Sequence, residues 1–365
     1  MNNTTVLSFT YTSLPARILF GAGTSAQLPD ELRRLSISRP MILTTPTQKD
    51  LGERLAKLLG GKTAGVYAQA AMHTPVSVTK DAMEACKSTG ADGLVAIGGG
   101  STIGLAKAIA LRTDLPQIAM PTTYAGSEMT SIIGQTENGR KTTQKTMKVL
   151  PETVIYDVDY TLRFPVPASV TSGMNAIAHA VEALYSENQN PILDLQAIEG
   201  LSKVLPALWT ILEDPCNLAA RTDLLYGAWL CAVCLGTGGV ALHHKLCHVL
   251  GGTFDLPHAE THTIILPHAL TYNASSVPEA MEKLRLATGS EDPAREFQRI
   301  AHRAEGVPVA LRDLGMAEDG IEKVVQITID SPYYNPRPLD RDALTNTLRA
   351  AWAGAAPGSL TRSIG

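Results

Sequence analysis

An α/β domain built on a parallel sheet, followed by an all-helical domain, is the fold class predicted by three features of this sequence. Short apolar runs alternate with amphipathic stretches as far as about residue 160, long apolar-periodic stretches with few β-branched runs fill the rest, and Pro165 and Pro167 punctuate the change. Strand, helix, strand in repetition is the pattern of a parallel sheet covered on both faces. Sustained helical periodicity is that of packed helices. A chain of 365 residues also exceeds what one core usually organises. The expected domains are 1–160 and 161–365, with a hinge near residues 158–166 and the active cleft between them.

In chain order, the candidate strands are Ile18 to Phe20, Met41 to Thr44, Gly93 to Ile97, Ile118 to Met120 and Thr153 to Asp157. Candidate helices among them are Lys49 to Leu59, Val76 to Ser88 and Ile103 to Leu111. The second half reads as helices over Ala168 to Tyr185, Leu193 to Leu212 and Leu224 to Val249, and onward to the C-terminus. The uncharged run Leu224 to Leu242 has the length of a membrane span. It contains Gly227, Gly236, Gly238 and Gly239 and leads into His243 and His244, which fits a buried helix pair.

Composition narrows the function. A net charge of -4 gives no basic footprint for nucleic acid. Five cysteines, an odd and scattered set, argue against a disulfide framework and for the cytoplasm. Cys231 and Cys234 form a C-x-x-C in an apolar run without a second pair, so they read as buried free thiols. Met1 to Pro15 has neither a basic nor an apolar targeting region. The expectation is a cytoplasmic homodimer acting on a small molecule, with no nucleic acid and no membrane as partner.

Two loops carry the nucleotide signal. The strand at Gly93 to Ile97 runs into Gly98, Gly99, Gly100 and Ser101 and then into a helix. Glycines let backbone N–H groups approach an anion, and a helix start adds its unpaired donors and dipole, so the segment reads as a pyrophosphate cradle of a Rossmann-like domain. After the strand ending at Met120 comes a hydroxyl-rich loop with Thr122, Thr123, Tyr124 and Ser127. Ligands of open α/β sheets bind at such strand ends. Tyr124 and Ser127 are candidates to touch nicotinamide or substrate. The second strand ends in Thr44 and Thr45, with no carboxylate until Asp50. An acidic residue there normally bonds the ribose and repels a 2′-phosphate. Without one, both NADH and NADPH are expected to serve.

The chemistry signal lies in the histidines. Asn175 and His179 stand at i and i+4, as do His244 and His248, and His258 follows Pro257. Each buried imidazole needs a partner, so two such pairs inside apolar helices point to a shared site. His73, His262, His268 and His302 fall outside the pattern and read as structural.

In order, Gly98-Gly99-Gly100-Ser101 with Ala106-Lys107, Pro121-Thr122-Thr123, Gly173-Met174-x-Ala176-x-x-His179, and His244 with His248-x-Leu250-Gly251 and Pro257-His258 resemble the iron-containing alcohol dehydrogenase family over nearly the whole chain. The resemblance implies the architecture of that family, which dehydroquinate synthases share. It also implies a metal site of one aspartate and three histidines, mapping here onto Asn175, His179, His244 and His258. Lys141 resembles a family position near the cofactor.

The aspartate is replaced by Asn175, and Gly104 stands where the family's phosphate-loop helix commonly carries an aspartate. A neutral amide removes charge compensation for a divalent cation. These departures resemble a branch that works without metal and reduces the carbon–carbon double bond of an unsaturated oxo-dicarboxylate in aromatic-ring degradation. On that reading NADH or NADPH is the cofactor, no metal is expected, and the substrate is a dicarboxylate. His244 and His258 donate hydrogen bonds to a developing enolate, Asn175 donates or orients, and His248 or His179 supplies the proton. Charged imidazolium groups and Tyr124 meet the substrate. The alternative is a metal-dependent alcohol dehydrogenase of the same family.

Overall fold

The structure is a computed structural model that describes residues 8–14, 16–137 and 140–359. The first half holds β1 (Arg17–Gly21), α1 (Leu28–Arg34), β2 (Pro40–Leu43), α2 (Lys49–Leu58), β3 (Gly65–Tyr67), α3 (Val76–Thr89), β4 (Gly93–Gly98), α4 (Gly100–Thr113), β5 (Gln117–Pro121), β6 (Ile132–Glu137), β7 (Arg140–Lys145) and β8 (Thr153–Asp157). Helices follow: α5 (Val166–Ala183), α6 (Pro191–Glu213), α7 (Leu218–Thr237), α8 (Leu242–Phe254), α9 (His258–Asn273), α10 (Pro278–Thr288), α11 (Pro293–Arg303), α12 (Gly320–Asp330) and α13 (Arg341–Ala353).

Six strands form one sheet in the order β1-β8-β5-β4-β2-β3, all pairs parallel. The central strands β4, β5 and β8 are buried at every residue, as their continuous apolar runs require when both faces are covered. Leu28, Ile42, Ile97 and Ile155 pack on one side of the sheet. On the other, Val154 and Tyr156 join Met174, Ile177, Leu201, Leu208 and Phe297 in a core that continues from the sheet into α5, α6 and α11. A further core of Leu246, Leu250, Ile265, Val324 and Leu348 unites α8, α9, α12 and α13.

Three elements have no sequence signal in the reading above: α1, the three-residue β3, and the hairpin of β6 with β7. The hairpin is rich in Thr, Gln, Lys and Arg, so its alternation is muted; only Ile133 and Gln135 among its described side chains are buried. The long apolar run divides into α7 and α8 at Gly239, whose φ of 111° is a glycine conformation. α7 is long and apolar enough to cross a membrane, yet it packs along α6 and α5. Cys231 and Cys234 are free, buried thiols, and burial pushes Cys234 up to about 12.

Candidate active site

The cradle begins where β4 meets α4. Gly98 lies opposite Pro121 in the β4–β5 register, so the two loops leave neighbouring strands at one level, and Thr122 N–H donates to Gly98 O at 3.1 Å. Gly98 has φ 154°, and a Cβ there would stand 2.4 Å from Thr102 Oγ1. A Cβ on Gly99 would meet Thr123 Cγ2 at 2.9 Å, whereas one on Gly100 meets nothing within 4 Å. The first turn of α4 therefore opens onto free space with no side-chain cap on its N–H groups, and Thr102 Oγ1 is buried without a partner. Those are the donors a pyrophosphate takes. Ser101 sits in that turn.

The hydroxyl loop is fixed from beneath. Lys107, fully buried on α4, donates to Ser127 O at 2.6 Å, Thr130 O at 2.7 Å, Thr130 Oγ1 at 2.9 Å and Ile132 O at 2.9 Å. Gln48 bridges the loops, its Nε2 donating to Thr122 Oγ1 at 3.1 Å, with its Oε1 3.4 Å from Thr45 Oγ1. The loop then leans on the helical half. Tyr124 N–H donates to Ser172 Oγ at 2.9 Å, Asn175 Nδ2 to Ala125 O at 3.4 Å, and a Cβ on Gly126 would stand 3.4 Å from His179 Cε1. Cofactor loop and histidine cluster are thus one continuous structure.

The cluster is drawn from three helices. His179 on α5 stacks on His244 of α8, ring centres 5.2 Å apart; His244 lies 5.0 Å from His262 of α9, and His262 lies 4.2 Å from His258. His248 and His258 are exposed at its mouth. Asn175 Oδ1, His179 Nδ1, His244 Nε2 and His262 Nε2 are buried without hydrogen-bond partners. Four such atoms on facing helices mark a site that awaits a polar ligand.

Glu182, one turn beyond His179 on α5, holds the cluster's frame. Its Oε2 lies 2.7 Å from His244 Nδ1, and its two oxygens accept the Ala241 and His243 N–H groups at 2.6 Å each. Its carboxyl group is buried at the start of α8, where the unpaired N–H groups of a helix are met by acceptors. Being an acceptor only, it fixes a proton on His244 Nδ1 and turns Nε2 to the site. Behind His244, His243 Nε2 lies 2.9 Å from His262 Nδ1, with Cys247 Sγ 3.8 Å from the same nitrogen. Burial, more than neighbouring imidazoles, pushes His179, His243 and His262 well below the usual histidine range, so all three are neutral at pH 7.

At the mouth of the cluster, His248 Nδ1 is 3.0 Å from Tyr333 Oη, and Lys245 Nζ is 5.1 Å from the Tyr333 ring centre. Burial lowers the Lys245 ammonium from its ordinary value.

Several expectations need correction. Tyr124 does not face the site: its ring is buried, and its hydroxyl accepts from Arg221 Nη1 at 3.1 Å inside the core. Thr44 is buried and donates to Gln48 O at 3.3 Å, which leaves Thr45 as the reachable hydroxyl. His262, read as structural, belongs to the cluster, while His268 is a buried α9 residue outside it. His179 is not a cation for substrate carboxylates, since burial keeps it neutral. Lys141 lies in β7, but its side chain is outside the described residues, as are most of the N-terminal segment read for targeting and the last six residues of the chain. Glu182, Lys245, Tyr333 and Gln48 went unsignalled, because each gains meaning only through a partner far away in sequence.

The donor set offers no anionic ligand to a cation. Asn175 contributes an amide oxygen, the imidazoles are uncharged donors, and Glu182 is occupied by His244 and two backbone groups. That set does not match the charge a hard divalent ion requires.

A phosphate cradle on a parallel sheet, facing a buried histidine cluster in a helical half, defines a nucleotide-dependent oxidoreductase of two-part architecture. The chain belongs to the iron-containing alcohol dehydrogenase family: "Iron-containing alcohol dehydrogenase" matches residues 15–158, and "Fe-containing alcohol dehydrogenase family, C-terminal" matches 169–352. It is 51% identical to the maleylacetate reductase of Pseudomonas knackmussii over 97% of this chain and 100% of that one. It is 49% identical to that of a Rhizobium species over 96% and 99%. The crystal structure of maleylacetate reductase from Agrobacterium tumefaciens superposes with a TM-score of 0.92 at 49% identity, covering 96% of this chain and 99% of that one.

Proposed function

We propose that the protein reduces the carbon–carbon double bond of maleylacetate to give 3-oxoadipate, using NADH or NADPH and no metal. The observation that carries this is the set of partnerless buried polar atoms on Asn175, His179, His244 and His262, beside a carboxylate that orients His244 and with no anionic ligand for a cation. The near-complete likeness to maleylacetate reductases at 51% identity supports the substrate.

When bound at the cradle of Gly98, Gly99, Gly100 and Ser101, the reduced nicotinamide supplies hydride to the alkene carbon beta to the ketone. Negative charge then develops on the ketone oxygen as an enolate, and preorganised donors stabilise it. His244 is the leading donor: with Nδ1 held by Glu182, Nε2 is the nitrogen that meets the oxygen. His258 at the mouth donates beside it, and Asn175 orients the loop through Ala125 O. The other alkene carbon, the one bonded to the ketone, takes a proton from exposed His248 or from His179. His179 is neutral and buried, so it suits a relay from His244, on which it stacks.

The same reading places the protein in the cytoplasm as a homodimer, with exposed Ile192 and Leu195 on α6 offering apolar surface, and with the two halves moving about residues 158–166. NADH oxidation by the purified protein decides the function. Turnover with maleylacetate, and none with simple alcohols or aldehydes, is the expected result; the reverse preference sinks it.

A further inference from the structure

We propose that Lys245 is the cation that binds one carboxylate of the substrate and so selects dicarboxylic acids. This rests on the reduction described above. The protein surrounds its fully buried cations with oxygens. Lys107 is surrounded by four oxygens within 2.9 Å. Arg221 donates to Pro215 O, Tyr124 Oη, Ser169 Oγ and Phe164 O, all within 3.1 Å. Burying a cation is costly, and these partners offset the cost.

Lys245 is the exception. The residue is 7% exposed because its stem is buried, but its ammonium reaches solvent and has neither hydrogen bond nor ion pair among the described residues. Its neighbour is the face of Tyr333, 5.1 Å from the ring centre. That contact is weaker than an ion pair and leaves the ammonium open to an anion. An unpaired ammonium that reaches solvent beside the histidines can take an anion entering the cleft.

The place fits the substrate. Lys245 follows His244 in sequence and precedes His248 by one helical turn, and the Tyr333 ring it faces bonds His248 through its hydroxyl. Tyr333 is held there by its own segment. Asn335 and Asn273 exchange two hydrogen bonds of 2.8 Å, Tyr272 Oη donates to Pro338 O at 2.8 Å, and Arg337 Nη1 donates to Tyr272 O at 2.7 Å. The ammonium thus stands in a preformed wall beside the imidazoles that meet the ketone. The phosphates have their own cradle on the sheet.

The test compares wild type, Lys245→Met and Lys245→Arg by steady-state kinetics with maleylacetate, alongside NADH binding followed by fluorescence. Wild-type turnover tests the reaction; the variant-to-wild-type ratio tests Lys245. The expected result is a KM at least tenfold higher for Lys245→Met, a smaller fall in kcat, recovery to within about threefold of wild type by arginine, and an unaltered NADH affinity. Lys245→Gln replaces methionine in the comparison if Lys245→Met does not fold. A KM within twofold of wild type overturns the proposal, as does an arginine variant no better than the neutral one, or NADH affinity that falls in parallel.

Discussion

Glu182 Oε2 and His244 Nδ1 lie 2.7 Å apart in a fully buried pair that joins α5 to the first turn of α8. The same carboxylate accepts the N–H groups of Ala241 and His243, so one residue both orients a site imidazole and anchors the helix that carries it. Glu182→Gln retains the shape but places an amide NH2 against N–H donors. Its kcat falls about 10–100-fold, the usual cost of losing an orienting partner, while maleylacetate KM changes less. Glu182→Ala also loses about 3–5 kcal/mol of stability. Steady-state kinetics and urea unfolding measure the two; a glutamine variant with wild-type kcat removes the orienting role.

Acid destabilises the fold through buried histidines. Burial pushes His268 down to about 4. Its folded value lies below the unfolded value near 6.5, so above that pH neither state takes the proton and the full stability is present. As pH falls from 6.5 towards 4 the unfolded chain binds a proton that the folded one does not, and stability drops by about 3 kcal/mol. His179, His243 and His262 add in the same direction. Unfolding free energy measured from pH 8 to pH 5 falls, and His268→Leu flattens the slope; a stability that rises on acidification contradicts the assignment.

Arg221 and Tyr124 form a structural staple between the cofactor loop and the helical half. Arg221→Met strands four oxygens and costs about 3 kcal/mol or more. Tyr124→Phe costs about 1 kcal/mol and leaves KM for substrate within twofold of wild type, because the hydroxyl points into the core. A tenfold rise in that KM restores Tyr124 to the substrate site.

Metal affinity follows the charge at one position. Asn175→Asp returns a carboxylate beside His179 and His244, and a divalent ion then binds more tightly, as equilibrium dialysis with zinc or iron(II) measures. The wild-type enzyme keeps its activity in chelator. Stoichiometric metal in the purified wild type, with activity lost on its removal, overturns this.

Cofactor choice follows from the end of β2. Thr45 is reachable, its hydroxyl 3.1 Å from that of Thr47, and Asp50 is exposed in the first turn of α2. The loop after β2 carries no carboxylate before Asp50, so kcat/KM for NADH and NADPH is expected to differ by less than about a thousandfold, roughly 4 kcal/mol. A larger ratio in favour of NADH means that Asp50 reaches the ribose.

The sequence by itself determined the parallel α/β half, the helical half, the glycine cradle and the histidines at positions 179, 244 and 258, because each is written in local pattern. Apolar runs make β4, β5 and β8; glycine spacing makes the cradle; and i, i+4 pairs place Asn175 with His179 and His244 with His248. Tertiary structure alone decided which of these groups work together. Glu182 reaches His244 across 62 residues, Gln48 reaches Thr122 across 74, and Tyr333 reaches His248 across 85. It turned Tyr124 inward to Arg221, brought His262 into the cluster, and left Lys245 without a counter-ion among the described residues. A single glutamate or lysine in an amphipathic helix reads as solvated surface. Only packing removes the water, and removing the water is what makes a charge demand a partner.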